Sequence, residues 1–175
     1  VLEKLIQAFD DCFYVSLNTR LIRGDDEPIY KPAYSSCDFN QVIFAHGFFT
    51  SALHEVSHWC LAGEERRKRV DYGYWYNADG RTQEQQKKFE SVEVKPQALE
   101  WMFSQVAGAK FRISADNLEG ESTDPEPFKK AVVSQVERYC QQGLSDRAKL
   151  FHEKLIQQFN KNYILSADNF LLADL

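Results

Sequence analysis

The sequence lacks a long apolar run, is poor in cysteine and has no surplus of positive charge, and each shortage closes off a class of protein. The longest uncharged apolar stretch, Val42 to Leu53, is broken by His46, Gly47, Thr50 and Ser51. It is far shorter than the ~20 residues of a membrane-spanning helix, so no membrane partner is expected. Cys12, Cys37, Cys60 and Cys140 are widely spaced, with no CxxC pair. That argues against a disulfide framework or a zinc ribbon and predicts reduced, mostly buried thiols. Basic residues number 21 against 26 acidic ones, a formal charge of −5. A phosphate backbone is normally gripped by a basic face, so direct nucleic-acid binding is not expected and a cationic partner suits the chain better. Val1 to Ile6 shows no basic segment leading into an apolar stretch, which predicts a cytoplasmic protein. There is no internal repeat, low-complexity tract or interdomain linker. With 175 residues, 43% of them hydrophobic, and 13 Phe, 8 Tyr and 3 Trp, the expectation is a single domain over residues 1–175 with a substantial core.

The hydrophobic periodicity places elements along the chain. Leu2, Leu5, Ile6 and Phe9 recur at helical spacing; Asp10 and Asp11 are expected to stop that helix, and Cys12 to Leu17 reads as a strand. Arg23 to Pro28 is a loop, and a second strand is expected at Gln41 to Ala45. Gly47 precedes a helix from Thr50 to Ala62, closed by Gly63, with Thr50 or Ser51 offering the N-cap oxygen. Glu64 to Arg69 carries both signs of charge and reads as a solvated segment; Val70 to Tyr76 reads as an aromatic strand ending in a turn at Asn77 to Gly80. Helix resumes behind Thr82 as cap, and Pro96 is expected to kink it or divide it into segments around 82–94 and 96–107. Phe111 to Ser114 is a short strand candidate and Asp116 to Pro127 a loop. Two further amphipathic helices follow, lined by Phe128, Val132, Val136, Tyr139 and Cys140, and by Leu150, Phe151, Leu155, Ile156 and Phe159; a helical turn is expected near Ser166 to Leu172. The fold class is α+β, a short mixed sheet packed with helices.

One motif carries chemistry. His54-Glu55-Val56-Ser57-His58 is an HExxH sequence inside an expected helix. Histidines at i and i+4 rise from one face about one turn apart, so two imidazole nitrogens can converge on one metal ion. Glu55, rotated by about 100° from His54, is placed to reach a water on that metal and is a candidate general base rather than a ligand. Random ordering of this composition would give roughly 0.007 such motifs. The stronger competing explanation is a pair of histidines with purely structural partners. Against it, the helix is otherwise apolar (Ala52, Leu53, Val56, Trp59, Leu61), and an unpaired glutamate buried there would be costly.

A catalytic metal needs a third protein ligand. No histidine lies between Gly63 and Asp71, so the metzincin spacing is absent and a carboxylate is expected, with Glu90, Glu93 and Glu100 as candidates. The stretch Glu93-Val-Lys-Pro-Gln-Ala-Leu99 resembles the helix that supplies the glutamate in many gluzincin-type sites, with Pro96 where alanine is usual. That resemblance points to Glu93, with Glu100 as the fallback about two turns further on. Two histidines and one carboxylate suit either Zn²⁺ hydrolysis or non-haem Fe(II) oxygen chemistry. His46 and His152 are second-sphere or structural residues, and for His152 the structural role is favoured.

An ordered set of segments carries a wider resemblance: Asn18 to Tyr30, Phe44-Ala-His-Gly-Phe48, Ala52 to Cys60, Asp71-Tyr-Gly-Tyr-Trp-Tyr76, Val92 to Leu99 and Asp116-Asn-Leu-Glu-Gly120. Together they resemble the bacterial elongation factor P hydroxylase family, from about the N-terminus to residue 120. The resemblance implies an oxygen-requiring, metal-dependent hydroxylase acting on the β-lysylated lysine of elongation factor P. It implies a YbeY-like or zincin-like architecture. Iron would be held by His54, His58 and Glu93, with zinc or another divalent cation able to occupy the site as purified and dioxygen as co-substrate. A lysyl-lysine arm carries ammonium groups on a long aliphatic stem, so its channel should join acids to aromatic walls. Asp25, Asp26, Asp71, Tyr74 and Trp75 have that chemistry. The competing functions are a zinc metallopeptidase in which Glu55 activates water, a YbeY-like metal-dependent endoribonuclease, and a binding module with a closed structural metal.

Overall fold

In the computed structural model, residues 1–34, 36–71, 80–115 and 124–175 are described. The first helix, α1, runs unbroken over Leu2–Leu17, so the strand expected at Cys12 to Leu17 is helical instead. Asp10 does not end it, because its carboxylate is tied to the following strand: it accepts from Arg20 Nε at 2.9 Å and from Leu21 N at 3.2 Å. Phe9 and Phe13, one turn apart, are buried on the same face, whereas Val15 is 97% exposed. The β-branched and aromatic residues that suggested a strand thus lie around a helix with one buried stripe. Asn18, at φ 49°, closes it in the left-handed conformation that asparagine tolerates.

Among the described residues, three short strands make a mixed sheet in the order β1-β3-β2: β1 Thr19–Arg23, β2 Ile29–Lys31 and β3 Asn40–Phe44, the last matching the strand expected at Gln41 to Ala45. β1 runs parallel to β3 with Leu21 opposite Val42, and β2 antiparallel with Tyr30 opposite Val42. Tyr30 also exchanges backbone hydrogen bonds with Asp71, at 2.7 and 3.0 Å. The rest of the expected aromatic strand, including Tyr74 and Trp75, lies outside the described residues.

Helix α2, Phe49–Leu61, carries the HExxH motif. Its N-cap is Phe48, which offers no side-chain acceptor; Thr50 and Ser51 sit inside the first turn, where Ser51 Oγ accepts from Ala45 N at 3.2 Å. The other end is held by Arg147, which donates to the carbonyls of Trp59 and Cys60 at 3.1 Å each and of Ala62, its guanidinium lying 5.0 Å from the Trp59 ring. These are the orphan carbonyls of a helix C-terminus, satisfied by a cation. The mixed-charge segment after α2 forms a short 3₁₀ turn, Arg66–Lys68, with Lys68 paired to Glu64 and Glu65 at the surface.

Helix α3, Gln83–Ala107, opens with the cap expected at Thr82: Thr82 Oγ1 accepts from Gln85 N at 3.3 Å, and Gln85 Oε1 accepts from Thr82 N at 2.9 Å. It is one helix through Pro96, neither divided nor ended there. The residue whose carbonyl loses its donor, Val92, lies on the exposed side at 43%, where water can take the missing place. The expected strand at Phe111 to Ser114 is absent. Two glutamines of α3 meet this segment's backbone instead: Gln97 Oε1 accepts from Ser114 N at 3.0 Å and its Nε2 donates to Ser114 O at 2.7 Å, while Gln86 Nε2 donates to Ala115 O at 2.8 Å.

Helices α4, Glu126–Gln142, and α5, Asp146–Phe159, complete the packing, and a 3₁₀ turn at Ala167–Asn169 falls where a helical turn was expected. One core joins α1, the sheet, α2, α5 and one side of α3; in it Phe9 meets Phe13, Trp59 and Phe151 edge-on, and Phe13 meets Trp59 edge-on with ring centroids 4.7 Å apart. A second core uses the other side of α3, with Trp101 and Met102 against Phe111, Phe128, Val132, Val136 and Phe170. α1 and α5 run antiparallel, joined by Lys4 over the Phe159 ring at 4.7 Å, Asp11 with Lys154 at 2.6 Å, and Cys12 with the Leu150 carbonyl. Only Cys60 of the four free cysteines is buried; the other three are half-buried, against the expectation of mostly buried thiols. No described helix is long and apolar enough to cross a membrane.

Candidate metal centre

α2 and α3 cross where the two histidines meet a glutamate. His54 and His58 share a face of α2, and their Nε2 atoms lie 3.0 Å apart. Glu93, on α3 and 3% exposed, places Oε1 3.2 Å from His58 Nε2 and Oε2 3.7 Å from His54 Nε2. One donor atom from each of the three residues lies within 4.8 Å of the others. Two ring nitrogens so close cannot both point hydrogens at one another, so at least one lone pair faces the gap. A pair of imidazoles and a buried carboxylate around one point is a donor set that fits a divalent cation.

Further polar residues hold these three in place. Glu100 Oε2 is 2.8 Å from His54 Nδ1, so the carboxylate keeps the proton on Nδ1 and turns Nε2 toward the cluster. The fallback ligand therefore sits on the far nitrogen of the ring. Gln97 Nε2 donates to Glu93 Oε2 at 3.3 Å while holding the backbone of Ser114. Glu90, the other carboxylate considered, is hydrogen-bonded to Gln86 at 3.0 Å and is not in the cluster.

The electrostatics follow from this packing. Burial pushes His54 toward its neutral form, but the charge and hydrogen bond of Glu100 outweigh it and raise its pKa to about 10. Burial would likewise raise Glu93, yet the hydrogen bond from His58 and the charges of both histidines bring it down to about 2. For Glu55 burial outweighs the opposing charges of His54 and His58 and holds its carboxyl above the usual range.

Glu55 lines a cavity beside the cluster together with Tyr30, His58, Trp59, Arg67 and Asp71. Asp71 is thus brought to the site, and Arg66 is hydrogen-bonded to its carboxylate, with Nη2 3.2 Å from Oδ1. Asp25 and Asp26 are exposed in the loop between β1 and β2 and line neither this cavity nor the cleft against His54. Tyr74 and Trp75 lie outside the described residues. His46 is exposed, at φ 54°, on the turn before α2. His152 is buried on α5 between Phe103 and Tyr163, ring centroids 6.4 and 6.0 Å away, and has the structural setting expected of it. Sequence reasoning missed Gln97 as a partner of Glu93, although its position four residues further along the helix was a usable signal.

An α+β fold with two histidines and a carboxylate gathered at a helix crossing defines a candidate metalloenzyme. The chain matches the family described as Elongation factor P hydroxylase over residues 8–170, and it belongs to that family. It is 52% identical over 155 residues to the elongation factor P lysine hydroxylase of Haemophilus influenzae, an alignment spanning 89% of this chain and 87% of that protein.

Proposed function

We propose that this chain is an iron-dependent, oxygen-requiring hydroxylase of the β-lysylated lysine of elongation factor P. The observation that carries the reading is the His54–His58–Glu93 cluster in a chain of this family. His54, His58 and Glu93 would hold the metal, and three protein donors are one fewer than a closed structural zinc site uses. Iron bound there supplies redox chemistry toward dioxygen, which zinc lacks. Glu100 keeps His54 in the ligating tautomer, and Gln97 keeps Glu93 turned toward the histidines. Glu55, its carboxyl pushed above the usual range by burial, would give or take a proton at its own oxygen. Asp71 and Tyr30, in the cavity shared with Glu55 and His58, suit the ammonium and aliphatic stem of a lysyl arm. A histidine pair on one helix facing a carboxylate on a second agrees with a YbeY-like or zincin-like arrangement, and a cytoplasmic setting agrees with a substrate of the translation apparatus.

Glu55 beside the histidines also gives specific support to a zinc-peptidase reading, in which it would act as general base. One experiment separates the two. Metal-free protein is reconstituted with Fe(II) or Zn²⁺ without oxygen, β-lysylated elongation factor P is added, and intact mass is followed on admitting labelled dioxygen. The expected outcome is gain of one labelled oxygen atom with iron and none with zinc. Equal activity with zinc, cleavage of the substrate, or an unshifted mass with iron overturns the reading. In the same series His54→Ala, His58→Ala and Glu93→Ala are expected to lose bound metal by elemental analysis with helix content retained. Glu55→Gln is expected to slow turnover with metal still bound.

A further inference from the structure

A second opening, a cleft of about 330 Å³, lies against His54 and Glu100 and shares no lining residue with the Glu55 cavity. Its other walls are Thr50 and Ser51 from the first turn of α2, and Lys110, Arg112 and Ser114 from the segment after α3. A volume of this order is at the lower end of small-molecule sites. Lys110 and Arg112 are exposed and form no hydrogen bond or ion pair with any described residue, in a chain whose formal charge is −5. Glu100 is hydrogen-bonded to His54 at 2.8 Å, and Lys110 and Arg112 outnumber it among the charged groups of the described residues that line the opening. The hydroxyls of Thr50, Ser51 and Ser114 add neutral hydrogen-bonding groups. Two cations, three hydroxyls and one carboxylate make a lining whose chemistry suits a small anion next to the metal cluster.

The proposed reaction leaves a place for such a molecule. Inserting one atom of dioxygen into a carbon–hydrogen bond releases the other as water, and this takes two electrons and two protons that the substrate does not provide. We propose, resting on the hydroxylase reading, that the cleft walled by His54, Glu100, Lys110 and Arg112 binds a small organic anion that serves as the two-electron reductant. In balance, the carbon–hydrogen bond becomes a carbon–hydroxyl bond, dioxygen is reduced, and the donor gives up two electrons and two protons to form one water. Lys110 and Arg112 are binding residues for the donor, while His54 and Glu100 form the wall nearest the metal.

The test uses ascorbate as a reducing anion and succinate as a non-reducing one. Isothermal titration of the metal-free protein is expected to show both binding, and the double variant Lys110→Glu/Arg112→Glu to weaken each at least about tenfold with circular dichroism and metal content unchanged. With iron-loaded enzyme, the KM for ascorbate is expected to rise by a similar factor and the KM for elongation factor P to stay within about twofold. Failure of both anions to bind the wild type, or unchanged binding by the double variant, overturns the inference. A rise confined to the KM for elongation factor P also overturns it, because the cleft would then be a docking surface for the protein substrate. If the iron-loaded wild type does not hydroxylate at all, the functional reading falls and the reductant role with it, while the titration still decides whether the cleft holds an anion.

Discussion

Glu100 touches no donor atom of the cluster, yet it decides which nitrogen of His54 can serve as one. Replacing it with glutamine keeps the shape and loses the charge that holds the Nδ1 proton. We expect Glu100→Gln to bind metal about 10–100-fold more weakly in a chelator competition, with the fold intact. Glu100→Ala should also lower stability, since His54 Nδ1 would lose its partner in a largely buried setting. The contrast marks how far sequence reasoning reaches at this scale. The convergence of His54 and His58 follows from helix pitch alone, so the motif was enough. Glu93 was reachable through its local pattern. The grip of Glu100 on His54 and of Gln97 on Ser114 arises where α2, α3 and the chain after α3 come together, and no spacing within one segment encodes that meeting. For Asp25 and Asp26 the acidic composition pointed to the site, but the β1–β2 loop carries them into solvent.

Among the elements, α2 is fastened at one end by a residue 85 to 88 positions away. Arg147 meets three carbonyls at its C-terminus and lies over Trp59. We expect Arg147→Ala to cost about 1–3 kcal/mol in urea unfolding, and Arg147→Lys to recover only part of it because an ammonium cannot reproduce the planar fork or the stacking. Reading elements from periodicity succeeded where a side chain serves its own helix, as in the capping box of Thr82 and Gln85. It failed where a partner from elsewhere intervened. Asp10 looked like a stop signal because its acceptance of Arg20 and Leu21 was invisible. Phe111 to Ser114 looked like a strand because backbone groups needing partners were assigned to a neighbouring strand, when α3 glutamines met them.

For the molecule as a whole, α3 is shared by two cores, so its low amphipathicity reflects burial on both sides of its second half. Acid sensitivity is expected from the buried His152, whose pKa burial holds below its ordinary value, with the charge of Glu153 opposing. An unfolded chain takes up that proton near pH 6.5 and the folded one only at lower pH, so its neutral form favours the fold above about 6.5 and this contribution fades as pH falls. Stability should therefore decline between pH 7 and 5 by at most about 1.4 kcal/mol per pH unit from this group, and His152→Phe should flatten that part of the profile in denaturant titrations. Steeper loss in the variant would contradict the assignment.

The antiparallel union of α1 and α5 has a mechanical consequence. Lys4 and Phe159 lie together at one end of the helix pair, while Cys12 and Leu150 lie further along it. A load applied through residues 4 and 159 therefore peels the helices apart from their joined end, one layer of side chains at a time. The same load through residues 12 and 159 drags the helices along each other and strains many layers at once. In optical-tweezer experiments the first geometry should yield at markedly lower force than the second, although the folded state being pulled is the same.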